Sequence, residues 1–160
     1  MNPPARQTYL EPTEEAGRTF FSRPIIGSIV MLNLMRFRDT ADYRGAPDLA
    51  PATPISGQAA YQLYVEQTLP LLQRTGGELL FYGSTDAFLI GPADERWDAV
   101  MLVRQSSLAD FLAFASDPGY QSILAHRTAA LEDSRLLPLL PRLQTSARCP
   151  GGGPTPSRLY

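Results

Sequence analysis

The chain has 160 residues, of which 44% are hydrophobic and 19% charged, enough apolar material for the core of one domain and too much for wholesale disorder. All 14 basic residues are arginine, which excludes a P-loop lysine and any Schiff-base or catalytic lysine. The net charge of -2 and pI near 5.4 argue against a nucleic-acid surface. The single cysteine, Cys149, leaves neither an internal disulfide nor a cysteine metal site. With no secretory leader read at the N-terminus and no apolar run of roughly 18 residues, the expected location is cytoplasmic, with no membrane or nucleic-acid partner.

Proline marks the boundaries, because it cannot donate to a helix or sheet ladder. Most of the 15 prolines fall in residues 1–24, between Pro47 and Pro54, and from Pro141 onward. These stretches read as an N-terminal arm over 1–27, a loop, and a flexible tail over 141–160, around a domain at 28–140. The arm carries Phe20, Phe21, Ile25 and Ile26, which should dock on the domain or on a partner subunit.

Within the domain, Ser28 to Arg38 is apolar on both alternating sets, Ile29, Met31, Met35 and Phe37 against Val30, Leu32 and Leu34. That pattern predicts a central strand covered on both faces. Ser56 caps a helix reaching Arg74, with Tyr61, Tyr64, Val65, Thr68 and Leu72 on one stripe, Pro70 in its last turn and Gly76-Gly77 after it. Glu78–Tyr82 and Ala87–Ile90 read as one interrupted strand or a small hairpin, and Trp97–Arg104 as the third strand. Ser107 with Asp110 starts a helix. Asp117-Pro118 starts another, with Tyr120, Ile123, Leu124, Arg127 and Leu131 on its stripe up to about Asp133. Arg135–Leu140 is the last strand.

Strand, helix, strand, strand, helix, strand in one sheet predicts an α+β, ferredoxin-like βαββαβ sandwich with a four-stranded antiparallel sheet. Helices then cover one face only. A first strand apolar on both faces calls for a second cover, and the simplest is the sheet of another copy, giving a homodimer in the form of a dimeric α/β barrel.

The stretches VMLNLMRFRDTADY, SGQAAYQLY, RTGGELLFYG, IGPADERWDAVMLVRQSS and FLAFASDPGYQSILAHRTAALEDSRL together resemble the domain-of-unknown-function family 1330, of the dimeric α/β-barrel superfamily. The resemblance spans Ser28 to Leu140. It implies the same fold and dimer, and no particular activity, since the superfamily includes cofactor-free monooxygenases, haem-degrading enzymes, isomerases and ligand binders.

Arg127 lies on an apolar helical stripe and matches the arginine of the family motif. It either anchors a carboxylate or enolate oxygen in a cavity or pairs with an acidic residue such as Glu66 or Asp110. Asn33 is the polar residue in the middle of the first strand, facing a pocket or the dimer seam. In the superfamily's monooxygenases a first-strand asparagine holds substrate oxygens, a role the resemblance implies for Asn33 beside a purely structural one. His126, the only histidine, is the natural general base; its position about 120° from the stripe centre also suits an exposed or interface residue paired with Asp133. Trp97 is a ligand-contacting candidate or the seal of a core edge, and Tyr64 a ligand contact. Haem-degrading relatives combine a strand asparagine, a tryptophan and a helical histidine, but the spacing of 29 between Trp97 and His126 differs from theirs, so no haem is expected. No metal site and no cofactor are expected.

Two functions compete on this reading. One is a dimeric small-molecule binder or cofactor-free enzyme, oxygenase- or isomerase-like, acting on an aromatic, keto or lactone compound. In it Arg127 and Asn33 orient a polar oxygen of a small anionic or aromatic ligand, and His126 or a tyrosine moves a proton. The other is a non-catalytic dimeric module that contacts proteins. A cavity beside Arg127 discriminates between them.

Overall fold

The computed structural model describes residues 6–142; Cys149 and most of the expected tail lie outside them. Four helices and four strands follow in the order α1 (Glu14–Phe21), β1 (Ile29–Phe37), α2 (Gly57–Arg74), β2 (Glu78–Ser84), β3 (Ala99–Gln105), α3 (Leu108–Ser116), α4 (Pro118–Ala130) and β4 (Leu131–Leu139), with a single 3₁₀ turn at Pro47–Leu49. The sheet order is β2-β3-β1-β4 and every neighbouring pair is antiparallel. This is the expected ferredoxin-like α+β architecture. No described helix is long and apolar enough to cross a membrane.

The helix boundaries follow their caps. The Ser56 side chain accepts the Ala59 N–H, Ser107 accepts from Asp110, and Asp117 accepts from Gly119 and Tyr120 ahead of Pro118. The end of α2 closes where Gly76 adopts φ +79° and the Gly77 N–H returns to the Leu72 carbonyl at 2.9 Å, a turn that favours glycine.

The alternation of β1 sorts the two faces. Ile29, Met31 and Met35 are buried against Tyr61, Tyr64 and Val65 of α2. Val30, Leu32 and Leu34, half-buried, point to the opposite face, opposite Arg104, Leu102 and Val100 on β3 and Leu139, Leu137 and Arg135 on β4. Beyond β3, a register shift between Leu79 and Phe81 sets Phe81 opposite Leu102. Phe81 is 51% exposed and Leu137 54%, so this sheet face carries an apolar surface that none of the described helices covers.

Several boundaries differ from expectation, β3 running Ala99–Gln105 instead of Trp97–Arg104 and β4 starting at Leu131 instead of Arg135. Ala87–Ile90 is not a strand: β2 is the sheet edge and its partner β3 starts only at Ala99, so this stretch has no ladder to join. It lies in a loop closed at its neck by the Thr85 N–H on the Asp98 carbonyl, with Leu89 100% exposed. The last helix stops at Ala130 and not near Asp133, because β4 begins at Leu131 and Asp133 already pairs with Arg36 in the sheet. The arm is also more than a connector. Thr13 caps α1 by accepting the Ala16 N–H, and Phe20 and Phe21 pack on Phe111 with ring centroids 6.0 and 5.5 Å apart. The aromatic pair therefore docks on its own domain.

Candidate functional site

Between the helix-facing side of the sheet and the helices lies a cavity of about 580 Å³, within the range of small-molecule sites. Its floor comes from the inward residues of β1 and β3, Met31 and Asn33 beside Met101, Val103 and Gln105. Its roof comes from α2, α3 and α4, and the arm closes one side through Tyr9, Leu10, Thr13 and Phe21. Most of this lining is apolar, with polar groups at a few points.

Three of the expected site residues meet here. Arg127, Asn33 and Tyr64 all line the cavity. Arg127 Nη1 donates to the Leu10 carbonyl at 2.5 Å and Nη2 to Ser134 Oγ at 3.2 Å; Ser134 Oγ in turn donates to the Tyr9 carbonyl at 2.6 Å. Neither suggested acidic partner reaches it: Glu66 accepts from Gln62, and Asp110 accepts from Ser106 and Ser107. Among the described residues Arg127 forms no salt bridge. Asn33 is on the pocket side of the sheet and not in the open face. Its Nδ2 donates at 3.3 Å to the Met31 carbonyl and at 3.5 Å to that of Met101, long contacts that leave Oδ1 free of any donor among the described residues.

The Tyr64 hydroxyl meets that of Tyr120 at 3.1 Å. Burial pushes the Tyr64 phenol well above its ordinary pKa, and the neighbouring Tyr120 and Tyr61 phenols push it further against the opposing pull of Arg127. Tyr61, fully buried next to it, is raised by the same burial. The Tyr64 phenol stays protonated at neutral pH, so it can act as a hydrogen-bond donor and not as a base, while the buried Tyr61 hydroxyl has no partner among the described residues.

His126 and Trp97 stand elsewhere. His126 is buried on another side of α4, its Nδ1 2.8 Å from the Tyr43 hydroxyl and its Nε2 3.5 Å from Gln67 Nε2. It is neither exposed nor paired with Asp133, and it does not line the cavity. Burial lowers its pKa. Trp97 is buried with Arg36 and Arg135 stacked 5.9 and 5.1 Å from its ring centroid and its indole N–H on Glu95, the core-edge role of an amphipathic ring. Asp133, fully buried, holds that edge together through Arg36 and Arg135.

Residues the sequence did not single out complete the site: Tyr120 above Tyr64, Thr68 on α2, Gln105 at the end of β3 and the arm residues. Gln105 was legible in principle, since it continues the inward phase of Met101 and Val103 as a polar residue, the signal that singled out Asn33. Ending the strand at Arg104 hid it. Among the described residues no group of three or more His, Cys, Asp or Glu could hold a metal ion.

Residues 52–137 match the family model described as "Domain of unknown function (DUF1330)". The chain belongs to this family. It is also similar to a crystal structure of a protein of unknown function from Rhodopseudomonas palustris, with 36% identity, a TM-score of 0.75, and coverage of 84% of this chain and 98% of that one. The methylated form of that protein matches at the same identity with a TM-score of 0.77, over 86% of this chain and 98% of the other. No curated protein matches. Membership in DUF1330 brings no assigned activity, so a functional reading of this DUF1330 chain rests on its cavity.

Proposed function

We propose that this protein is a homodimer in which each subunit binds a small aromatic or keto compound bearing an anionic oxygen, in the cavity under α2 and α4. The observation that carries this reading is a cavity of ligand size lined by two arginines, of which Arg135 is paired with Asp133 while Arg127 has no carboxylate partner among the described residues. A guanidinium in apolar surroundings needs an anion or several acceptors, and among the described residues its hydrogen bonds go to a carbonyl and a hydroxyl. Arg127 would take the ligand's carboxylate or enolate oxygen, Asn33 would supply a second polar contact, and Tyr64 with Tyr120 would donate to a neighbouring oxygen.

The geometry favours binding, with proton donation by the tyrosines, over base catalysis. His126 lies outside the cavity, and the raised pKa of the buried Tyr64 phenol keeps it protonated. Polarisation of a carbonyl by a tyrosine, as in an isomerase- or oxygenase-like reaction on a keto or lactone compound, remains within reach of this arrangement. The dimer is supported by the uncovered face of Val30, Leu32, Leu34, Leu102, Phe81 and Leu137, which a second copy of the same sheet would bury.

A thermal-shift screen with small aromatic acids, quinones, lactones and haem tests the reading, because a ligand of the folded state raises its stability by mass action. The expected result is an upward shift with anionic aromatic or keto compounds that is lost in Arg127→Met. If no compound shifts the protein, or the shift survives in Arg127→Met, the non-catalytic module becomes the better account.

A further inference from the structure

Two side chains of the cavity are left over by the reading above. Gln105 is 1% exposed, lines the cavity, and its buried Oε1 has no hydrogen-bond partner among the described residues. Thr68, buried on α2 and lining the same cavity, has an unpartnered Oγ1. A buried polar group without a partner costs stability, and native structures retain few of them. Leucine or valine at these positions would fill the space without that cost.

Their place in the fold is as informative as their lack of partners. Asn33 pairs across the sheet with Met101, and Gln105 is four residues further along β3, about 13 Å at the rise of an antiparallel strand. Between them the floor is Met31, Met101 and Val103. On the roof, Thr68 is one turn beyond Tyr64, toward the end of α2, where the Ser106 hydroxyl donates to the Thr75 carbonyl. The cavity thus has a cationic, donor-rich end at Arg127, Asn33 and Tyr64, an apolar middle, and a second polar end where Gln105 offers an acceptor and Thr68 a hydroxyl.

We propose that Gln105 and Thr68 form a second polar subsite that selects an elongated aromatic acid carrying a hydroxyl or amino donor at the end opposite its carboxylate. This rests on the proposed binding cavity and names the ligand class for it. With the carboxylate on Arg127 and the ring over Met31, Met101 and Val103, a para hydroxyl would donate to Gln105 Oε1 and accept from Thr68 Oγ1. A site built to pair a buried acceptor rejects the analogue that lacks the donor. Specificity therefore resides at Gln105 and anchoring at Arg127.

The test compares 4-hydroxycinnamate with cinnamate by titration calorimetry on the full chain, wild type against Gln105→Met and Arg127→Met, with the melting temperature of each unliganded protein recorded. The expected result is a preference of about tenfold or more for 4-hydroxycinnamate in the wild type, lost in Gln105→Met. Arg127→Met should weaken both ligands alike, and unliganded Gln105→Met should melt at or above the wild-type temperature. Equal binding of the two acids that still depends on Arg127 overturns this inference and leaves the cavity reading standing. A preference that survives in Gln105→Met, or a melting temperature many degrees lower in that variant, overturns it as well. Binding of neither acid overturns this inference, while the cavity reading stands or falls with the thermal-shift screen.

Discussion

Arg127 on α4 donates to the Leu10 carbonyl, 117 residues earlier in the chain, at 2.5 Å. The cation over the cavity is thereby tied to the arm, and the arm becomes a wall of the cavity. A carbonyl is a weaker partner for a guanidinium than a carboxylate, so a ligand anion can add to or replace this contact at modest cost.

Arg127→Met should therefore fold. Loss of the charged hydrogen bonds to Leu10 and Ser134 should cost about 1.5–2 kcal/mol, the lower part of the range for charged groups because both acceptors keep access to other donors, a fall in melting temperature of about 3–8 °C for a chain of this size. Affinity for an anionic ligand should fall by about 1.5–3 kcal/mol, the range for a charged hydrogen bond. Calorimetry with and without ligand separates the two effects. A loss of about 3 kcal/mol or more in the unliganded protein would instead mark Arg127 as a structural tie.

Leu32 sits at the middle of the open sheet face between Leu102 and Leu137. Replacement by Glu would bury a carboxylate against apolar neighbours in the dimer while leaving it in water in the monomer. Light scattering should find a dimer for the wild type and a monomer for Leu32→Glu. A wild-type monomer in dilute buffer would contradict the dimer.

Asp133 accepts from the Tyr9 N–H at 2.8 Å, from Ser134 at 2.9 Å and from Arg135 at 2.7 Å. Burial pushes its pKa up, but these hydrogen bonds and the arginine outweigh it and hold the carboxyl below its ordinary 3.8. With the folded pKa under the unfolded one, the stabilisation is present above pH 3.8 and is lost as the pH falls through the folded value. Asp133→Ala should cost about 3–5 kcal/mol at neutral pH, because Arg36 and Arg135 lose their buried partner. In urea unfolding the gap to wild type should narrow below pH 3.8, and limited proteolysis should cut the released arm. An equal gap at pH 7 and pH 3 would refute this account.

His126 behaves in the opposite chemical sense with the same sign in pH. Burial between Tyr43 and Gln67 lowers its pKa below the ordinary 6.5, so the unfolded chain takes up the proton first as the pH drops. Its contribution is complete above pH 6.5 and is lost on acidification toward the folded value. The melting temperature of His126→Gln should fall less steeply between pH 7 and pH 5.5 than that of the wild type. Identical slopes would show that another group carries the acid sensitivity.

Gly57 opens α2 in a space bounded by backbone. Its N–H donates to the Arg38 carbonyl at 3.0 Å, and an added Cβ would run into that carbonyl and the one of Ala130. Backbone cannot swing aside as a side chain can, so Gly57→Ala should cost about 3 kcal/mol, the upper end for overpacking. Gly17 in α1 has nothing near its missing Cβ, and Gly17→Ala should gain about 0.5–1 kcal/mol from helix propensity. Thermal denaturation of the two variants should move in opposite directions.

Local rules made much of the fold legible in the sequence. The caps at Ser56, Ser107 and Asp117 and the turn at Gly76-Gly77 act within a few residues, so the sequence alone places α2, α3 and α4. The double apolar phase of β1 likewise carries the information that both sheet faces are apolar. Arg127, Asn33 and Tyr64 were recognisable because each is a polar group on an apolar stripe. Long-range contacts decided the rest. Asn33 faces the helices only because Met31 and Met35, in phase with it, pack on α2. His126 turned inward because Tyr43, 83 residues away, supplies its hydrogen bond, and Ala87–Ile90 stayed a loop because no strand lies beside it. The arm became a wall of the cavity through the Asp133 carboxylate and the Arg127 guanidinium, partners that periodicity in residues 1–27 cannot reveal. Periodicity fixes which side of an element is apolar, whereas the partner of each buried polar group depends on which distant segment arrives beside it.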